Sequence, residues 1–190
     1  MESEFAFIKE IQDEAFLEHF KADDGNRGLY ERCIEIVKDY QDSRFDNCLT
    51  VIRPLYEKLI KYVYYRLFGE EWRESGVFIL VGKNQEKVNR EIENTRNPKK
   101  MQEARKNFRE RFTDTFLDEA DVIRDQGNEA IHNGKKETDQ KREARRAIDS
   151  LAYLIVEAVK IIENSEKTDG GKESIEGIVK IEQKLEDDGN

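Results

Sequence analysis

Residues 45–68, FDNCLTVIRPLYEKLIKYVYYRLF, carry one apolar period over more than six turns. Cys48, Leu49, Ile52, Leu55, Tyr56, Leu59, Ile60, Val63 and Leu67 recur at intervals of three and four, the spacing that brings side chains onto one face of an α-helix. The stretch predicts a helix of about 36 Å, ended by Gly69. Pro54 lies inside the pattern, and its missing amide predicts a kink or a restart there. A helix of this length with one apolar stripe needs other helices to cover it.

Reading outward, the neighbours have the same period. Leu29, Cys33, Ile36, Val37 and Tyr40 predict a preceding helix, and Phe5, Ile8, Ile11, Ala15 and Phe16 an earlier one over residues 2–20, with a loop at residues 23–28 between them. On the other side, the run Val77-Phe78-Ile79-Leu80-Val81 fits a short strand or one turn of buried helix, and is read as a packed connector. Helical pattern resumes at Asn84 and breaks at Asn97-Pro98. Met101, Ala104, Phe108 and Phe112 define a further helix, and Phe116, Leu117, Ala120 and Ile123 another leading into Gly127. Thr138 is read as the N-cap of a last long helix with Ala144, Ile148, Leu151, Ile155, Ala158, Val159 and Ile162 inward. Gly170-Gly171 is read as a joint before a weakly amphipathic tail. The fold class predicted is all-α, a helical bundle over residues 27–164, preceded by an acidic helix and loop at 1–26 and followed by an acidic, weakly structured tail at 165–190.

Composition agrees and excludes several functions. The 190 residues contain two prolines, two cysteines and 39% charged side chains, with a formal net charge of −9. No run of 18 apolar residues exists, so no membrane span is expected, and a cytoplasmic location is inferred. Cys33 and Cys48 are too few for a disulfide scaffold and fit reduced core thiols. No phosphate-binding glycine loop, dinucleotide fingerprint or zinc motif is present, so no cofactor and no metal site is expected. Charge is unevenly distributed. Residues 1–24 hold two basic and eight acidic side chains, residues 83–112 ten basic and five acidic, and the tail from Glu163 four basic and nine acidic. A net acidic chain argues against indiscriminate DNA coating, yet its basic middle leaves room for a phosphate-contacting surface.

The chemistry concentrates in Ile123-Arg124-Asp125-Gln126-Gly127-Asn128-Glu129-Ala130-Ile131-His132. Asn128 and His132 are four apart and share a helix face. Lys135, Lys136, Lys141, Arg142, Arg145 and Arg146 follow, so a group titrating near neutrality adjoins a basic cluster, as phosphodiester binding or cleavage requires.

This stretch resembles the signature of a bacterial and archaeal domain family of unknown function within the HEPN superfamily (higher eukaryotes and prokaryotes nucleotide-binding), members of which are often fused to, or encoded beside, restriction and other anti-phage proteins. Arg53-Pro54-Leu55-Tyr56-Glu57-Lys58-Leu59-Ile60-Lys61 also resembles that family's first long helix, and the likeness spans residues 29–162. The resemblance implies a dimerising helical bundle. In ribonucleases of the superfamily it further implies metal-independent cleavage by an arginine and a histidine, through attack of the ribose 2′-hydroxyl. His132 matches the histidine and Asn128 the polar residue after the arginine, whereas Gly127 stands where the arginine usually is. Arg124 is the nearest substitute, about 12 Å away along an unbroken helix and roughly 80° around it.

The reading preferred from sequence is therefore a non-catalytic, HEPN-like module of a prokaryotic defence system. It would act as a homodimer and engage RNA or a restriction- or helicase-type partner through Asn128, Lys135, Lys136, Arg142, Arg145 and Arg146. The alternative is an endoribonuclease with His132 as general acid or base and Arg124, with Arg142 or Arg145, stabilising the phosphorane. A third reading is a structural subunit that uses its acidic ends to hold a larger nuclease or helicase.

Overall fold

The computed structural model describes residues 29–74, 76–130 and 137–187, with side chains over 31–74, 76–126 and 138–165. Every regular element among them is helical: α1 (Leu29–Gln41), α2 (Phe45–Phe68), α3 (Phe78–Val81), α4 (Gln85–Glu93), α5 (Pro98–Arg109), α6 (Asp114–Ala130) and α7 (Glu137–Asp187). The all-α class expected from the apolar periods is what forms. The expected helix at residues 2–20 lies outside the described residues.

Helix α2 is the axis of the bundle, packed by α1, α6 and α7. Its inner stripe, from Cys48 through Val63, is almost wholly removed from solvent. Pro54 does not restart the helix; α2 is one continuous element from Phe45 to Phe68. The proline is exposed, as is Thr50, so the carbonyl orphaned four residues earlier faces water. Gly69 ends α2 in the left-handed conformation (φ 68°), its N–H donating to Tyr65 O at 2.8 Å. Turn 42–44 folds α1 back along α2, and Arg44 clamps it by donating to Asp39 from Nε (2.8 Å) and Nη2 (2.5 Å).

Cys33 and Cys48 are free thiols in the core, and burial pushes both up to about 12, so both stay protonated at neutral pH. Cys48 Sγ donates to Ile36 O at 3.3 Å across the α1–α2 hairpin. A second core segment is aromatic. Tyr64 contacts Trp72 and Phe108, Phe108 stacks on Phe112, and Phe112 on Phe116, linking α2, the 69–77 connector, α5 and α6.

Asn84 and Asn97 cap α4 and α5, accepting the N–H of Lys87 (3.0 Å) and Lys100 (3.1 Å), with Pro98 at the first helical position as its fixed φ favours. Helix α7 begins at Glu137, one residue before the Thr138 read as its cap. Its backbone also continues through Gly170-Gly171 to Asp187, where sequence placed a joint. Glycine costs a helix interior about 1 kcal/mol without forbidding it. Among the described residues no helix is long and apolar enough to cross a membrane.

Candidate functional site

The one-turn helix α3 decides where the arginines go. A four-residue helix has no interior, so its carbonyls need partners from outside. Gly82 N–H closes the turn on Phe78 O at 2.8 Å. The rest are taken by α5: Arg105 donates from Nη1 to Ile79 O (2.6 Å) and Leu80 O (3.3 Å), and from Nη2 to Gly82 O (2.8 Å), while Arg109 donates to Val81 O (3.4 Å). Two guanidiniums thus stand in for the missing next turn, at the helix end where positive charge is favoured. Arg105 is only 8% exposed. Burial, reinforced by the Arg109 cation, lowers its pKa to about 10, which leaves it charged at neutral pH.

Arg124, on α6, meets α3 through the ring of Phe78. Its guanidinium carbon lies 4.7 Å from the centroid of the Phe78 ring. Nη1 is 2.9 Å from Asp121 Oδ1, an ion pair whose angle falls short of a hydrogen bond, and Nη2 donates to Asp125 Oδ1 at 2.7 Å. The Arg124 side chain is 20% exposed. Burial raises the Asp121 carboxyl above its ordinary range, against the Arg124 cation and the Lys83 N–H, which pull it down. Lys83 also pairs with Asp118. Below this cluster the Tyr56 hydroxyl is fully buried without a hydrogen-bond partner, and burial drives its pKa far up, so it stays a neutral phenol. Arg53 and Glu57 form a 3.5 Å pair one turn apart on the same helix.

Gly82 also sits close against the Phe78 ring. A Cβ there would lie 2.2 Å from Phe78 Cε2 and 2.7 Å from Phe78 O, so only glycine lets the ring lie where Arg124 meets it.

Three of the basic residues after His132 pair with acids of the same chain. Arg142 Nη2 is 3.5 Å from Asp139, Arg145 Nε is 3.2 Å from Asp149, and Arg146 Nη2 is 2.8 Å from Glu119 on α6. Glu119 also accepts from the buried Ser150 hydroxyl at 2.6 Å, so Arg146 belongs to an α6–α7 tie. Arg124 is therefore joined to the α2–α3–α6 junction, and Arg146 to a separate contact. His132, Lys135 and Lys136 lie outside the described residues, as does the side chain of Asn128. The backbone of α6 does run unbroken through Gly127 to Ala130, so no break at Gly127 swings Arg124 toward residue 132.

Sequence reading passed over Arg105, although it falls within the 101-104-108 apolar stripe, where a cation signals a buried partner set. At a shallow recess of about 280 Å³ beside Tyr64, Trp72 and Met101, Glu70 accepts from the Tyr64 hydroxyl at 2.9 Å and from Lys100 at 3.0 Å. Those two donors hold the Glu70 carboxyl below its usual range.

With this geometry in hand, comparison with known proteins returns nothing: no family model, curated protein or solved structure matches the chain. The class supported is an all-helical bundle with an arginine-braced junction.

Proposed function

We propose that the chain is a non-catalytic helical module of the HEPN kind, a dimer in a prokaryotic anti-phage setting that engages nucleic acid or a partner protein. The observation that carries this reading is the state of Arg124. Catalysis on a phosphodiester needs a guanidinium free to meet developing charge. Arg124 is instead held between two carboxylates and the Phe78 ring, eight residues before His132 on a helix unbroken as far as Ala130. Arg142 and Arg145, the other candidates for that charge, face acids one turn away on α7. The module therefore works through binding, with Asn128 and His132 as contact residues.

Sedimentation velocity on wild type and His132→Ala over a hundredfold concentration range tests this. A dimer that weakens at least tenfold in the variant, with helical circular dichroism unchanged, is expected. A wild type that stays monomeric throughout and a variant indistinguishable from it would overturn the dimerisation role.

A further inference from the structure

Beside the end of α2 and the start of α5 lie two adjoining recesses, of about 280 Å³ and about 190 Å³, that share Tyr64, Glu70 and Lys100 as walls. Tyr64, Trp72 and Ala104 are buried, and Phe68 and Met101 are half-buried beside them, so the floor of this groove is aromatic and apolar. Trp72 spends its indole N–H on Gly76 O at 2.9 Å, which leaves its ring to meet a guest. Each lobe falls short of the roughly 300–1,000 Å³ usual for small-molecule pockets and suits a single side chain.

The rim is acidic. Glu70, Glu71 and Glu74 line the larger lobe and Glu103 the smaller, against Arg73 and Lys100. Among the described residues no lysine or arginine pairs with Glu71, Glu74 or Glu103. Glu70 already receives a cation: Lys100 Nζ donates to its Oε2 at 3.0 Å, while the Tyr64 hydroxyl donates to Oε1 at 2.9 Å and orients the carboxylate. The Lys100 and Glu70 side chains are 54% and 48% exposed, so theirs is a surface pair that another cation displaces at little cost. A guanidinium suits the place better than the ammonium now there. It stacks on an aromatic ring and bonds a carboxylate through two N–H groups, where an ammonium acts as a point charge.

We propose that this groove receives an arginine side chain from a basic segment of a partner protein. The guanidinium lies against the Trp72 ring and takes the Glu70 carboxylate in place of Lys100. Glu71 and Glu74 supply the attracting charge at the rim, so salt weakens the contact. This surface is built from other residues than the Asn128–His132 stretch, and its use does not depend on dimerisation there.

Trp72 is the one tryptophan of the chain, so the intrinsic fluorescence of the full chain reads the groove directly. The probe is an end-blocked glycine-arginine pentapeptide, set against the same peptide carrying citrulline, the neutral mimic of arginine's shape. The arginine peptide is expected to change the emission saturably, with half-saturation below about 1 mM, and the citrulline peptide to leave it unchanged. The double variant Glu71→Gln, Glu74→Gln is expected to bind at least fivefold more weakly. Lys100→Ala is expected to bind at least threefold more tightly, because it frees Glu70. Alanine keeps the backbone amide that Asn97 caps, and a gain in affinity cannot come from misfolding. No response to the arginine peptide, equal response to both peptides, or a Lys100→Ala variant that binds no more tightly than wild type would each overturn the proposal. A response to oligouridylate in place of the arginine peptide would assign the groove to nucleic acid instead.

Discussion

Arg105 and Arg124 both hold the four-residue helix α3, and they do so by different chemistry. Arg105 is buried among the carbonyls of residues 79, 80 and 82 and has no carboxylate partner. Arg124 is partly exposed, lies on the Phe78 ring and pairs with Asp121 and Asp125. A guanidinium whose donors are spent on buried carbonyls cannot leave without orphaning them, so it is part of the fold. One that shares its charge with side-chain carboxylates, Asp125 among them largely exposed, costs less to displace. That contrast separates an arginine spent on buried backbone from one shared with side-chain acids, which sequence position alone does not.

The contrast can be broken first at Arg105. Arg105→Ala strands three carbonyls and is expected to lower stability by about 3 kcal/mol, read as a urea midpoint. A loss of less than about 1 kcal/mol would mean that water or Arg109 replaces it. Next comes Gly82→Ala, expected to cost about 2 kcal/mol because the new methyl meets the Phe78 ring and carbonyl. Combining it with Phe78→Leu should cost less than the sum of the single changes, since both act through the same contact. Strict additivity would sever Gly82 from Phe78. Arg124→Ala is expected to cost about 1 kcal/mol, well short of Arg105→Ala. Smallest is Arg145→Ala, whose exposed pair with Asp149 should change the midpoint by under about 0.5 kcal/mol.

The Asp121 carboxyl sharpens the same comparison through pH. Its folded pKa is raised, so the native state holds this proton more tightly than the unfolded chain does. The contribution is present below the unfolded pKa of about 3.9 and is lost as pH rises through the folded value. Wild type is therefore expected to lose stability relative to Asp121→Asn as pH rises above about 4. A difference that grows in the opposite sense would mean that the Arg124 cation outweighs burial.

Much of the fold was legible because the apolar period is local. The ends of α2, the helical restart at Asn84, the break at Asn97-Pro98, and the faces of α5 and α6 all follow from residues within a few turns. The nature of the 77–81 run was not legible, since five apolar residues fit a strand or a helical turn equally well. Arg105, 26 residues from Ile79, decides it by supplying the acceptors' partners. The site was less legible for the same reason. Sequence reading grouped Arg124 with Arg142, Arg145 and Arg146 as one basic neighbourhood. Asp121, Asp125 and Phe78 engage the first, and Asp139, Asp149 and Glu119 the others. Charge counted along a chain does not reveal which cations have their acids one turn away.

The central claim is that Arg124 serves the junction and the chain binds without cutting. Its most direct test is incubation of wild type and His132→Ala with single-stranded and structured RNA in EDTA, followed by analysis of the fragment ends. Intact RNA with both proteins is the result predicted. Fragments ending in 2′,3′-cyclic phosphate with wild type, absent with His132→Ala, would contradict it.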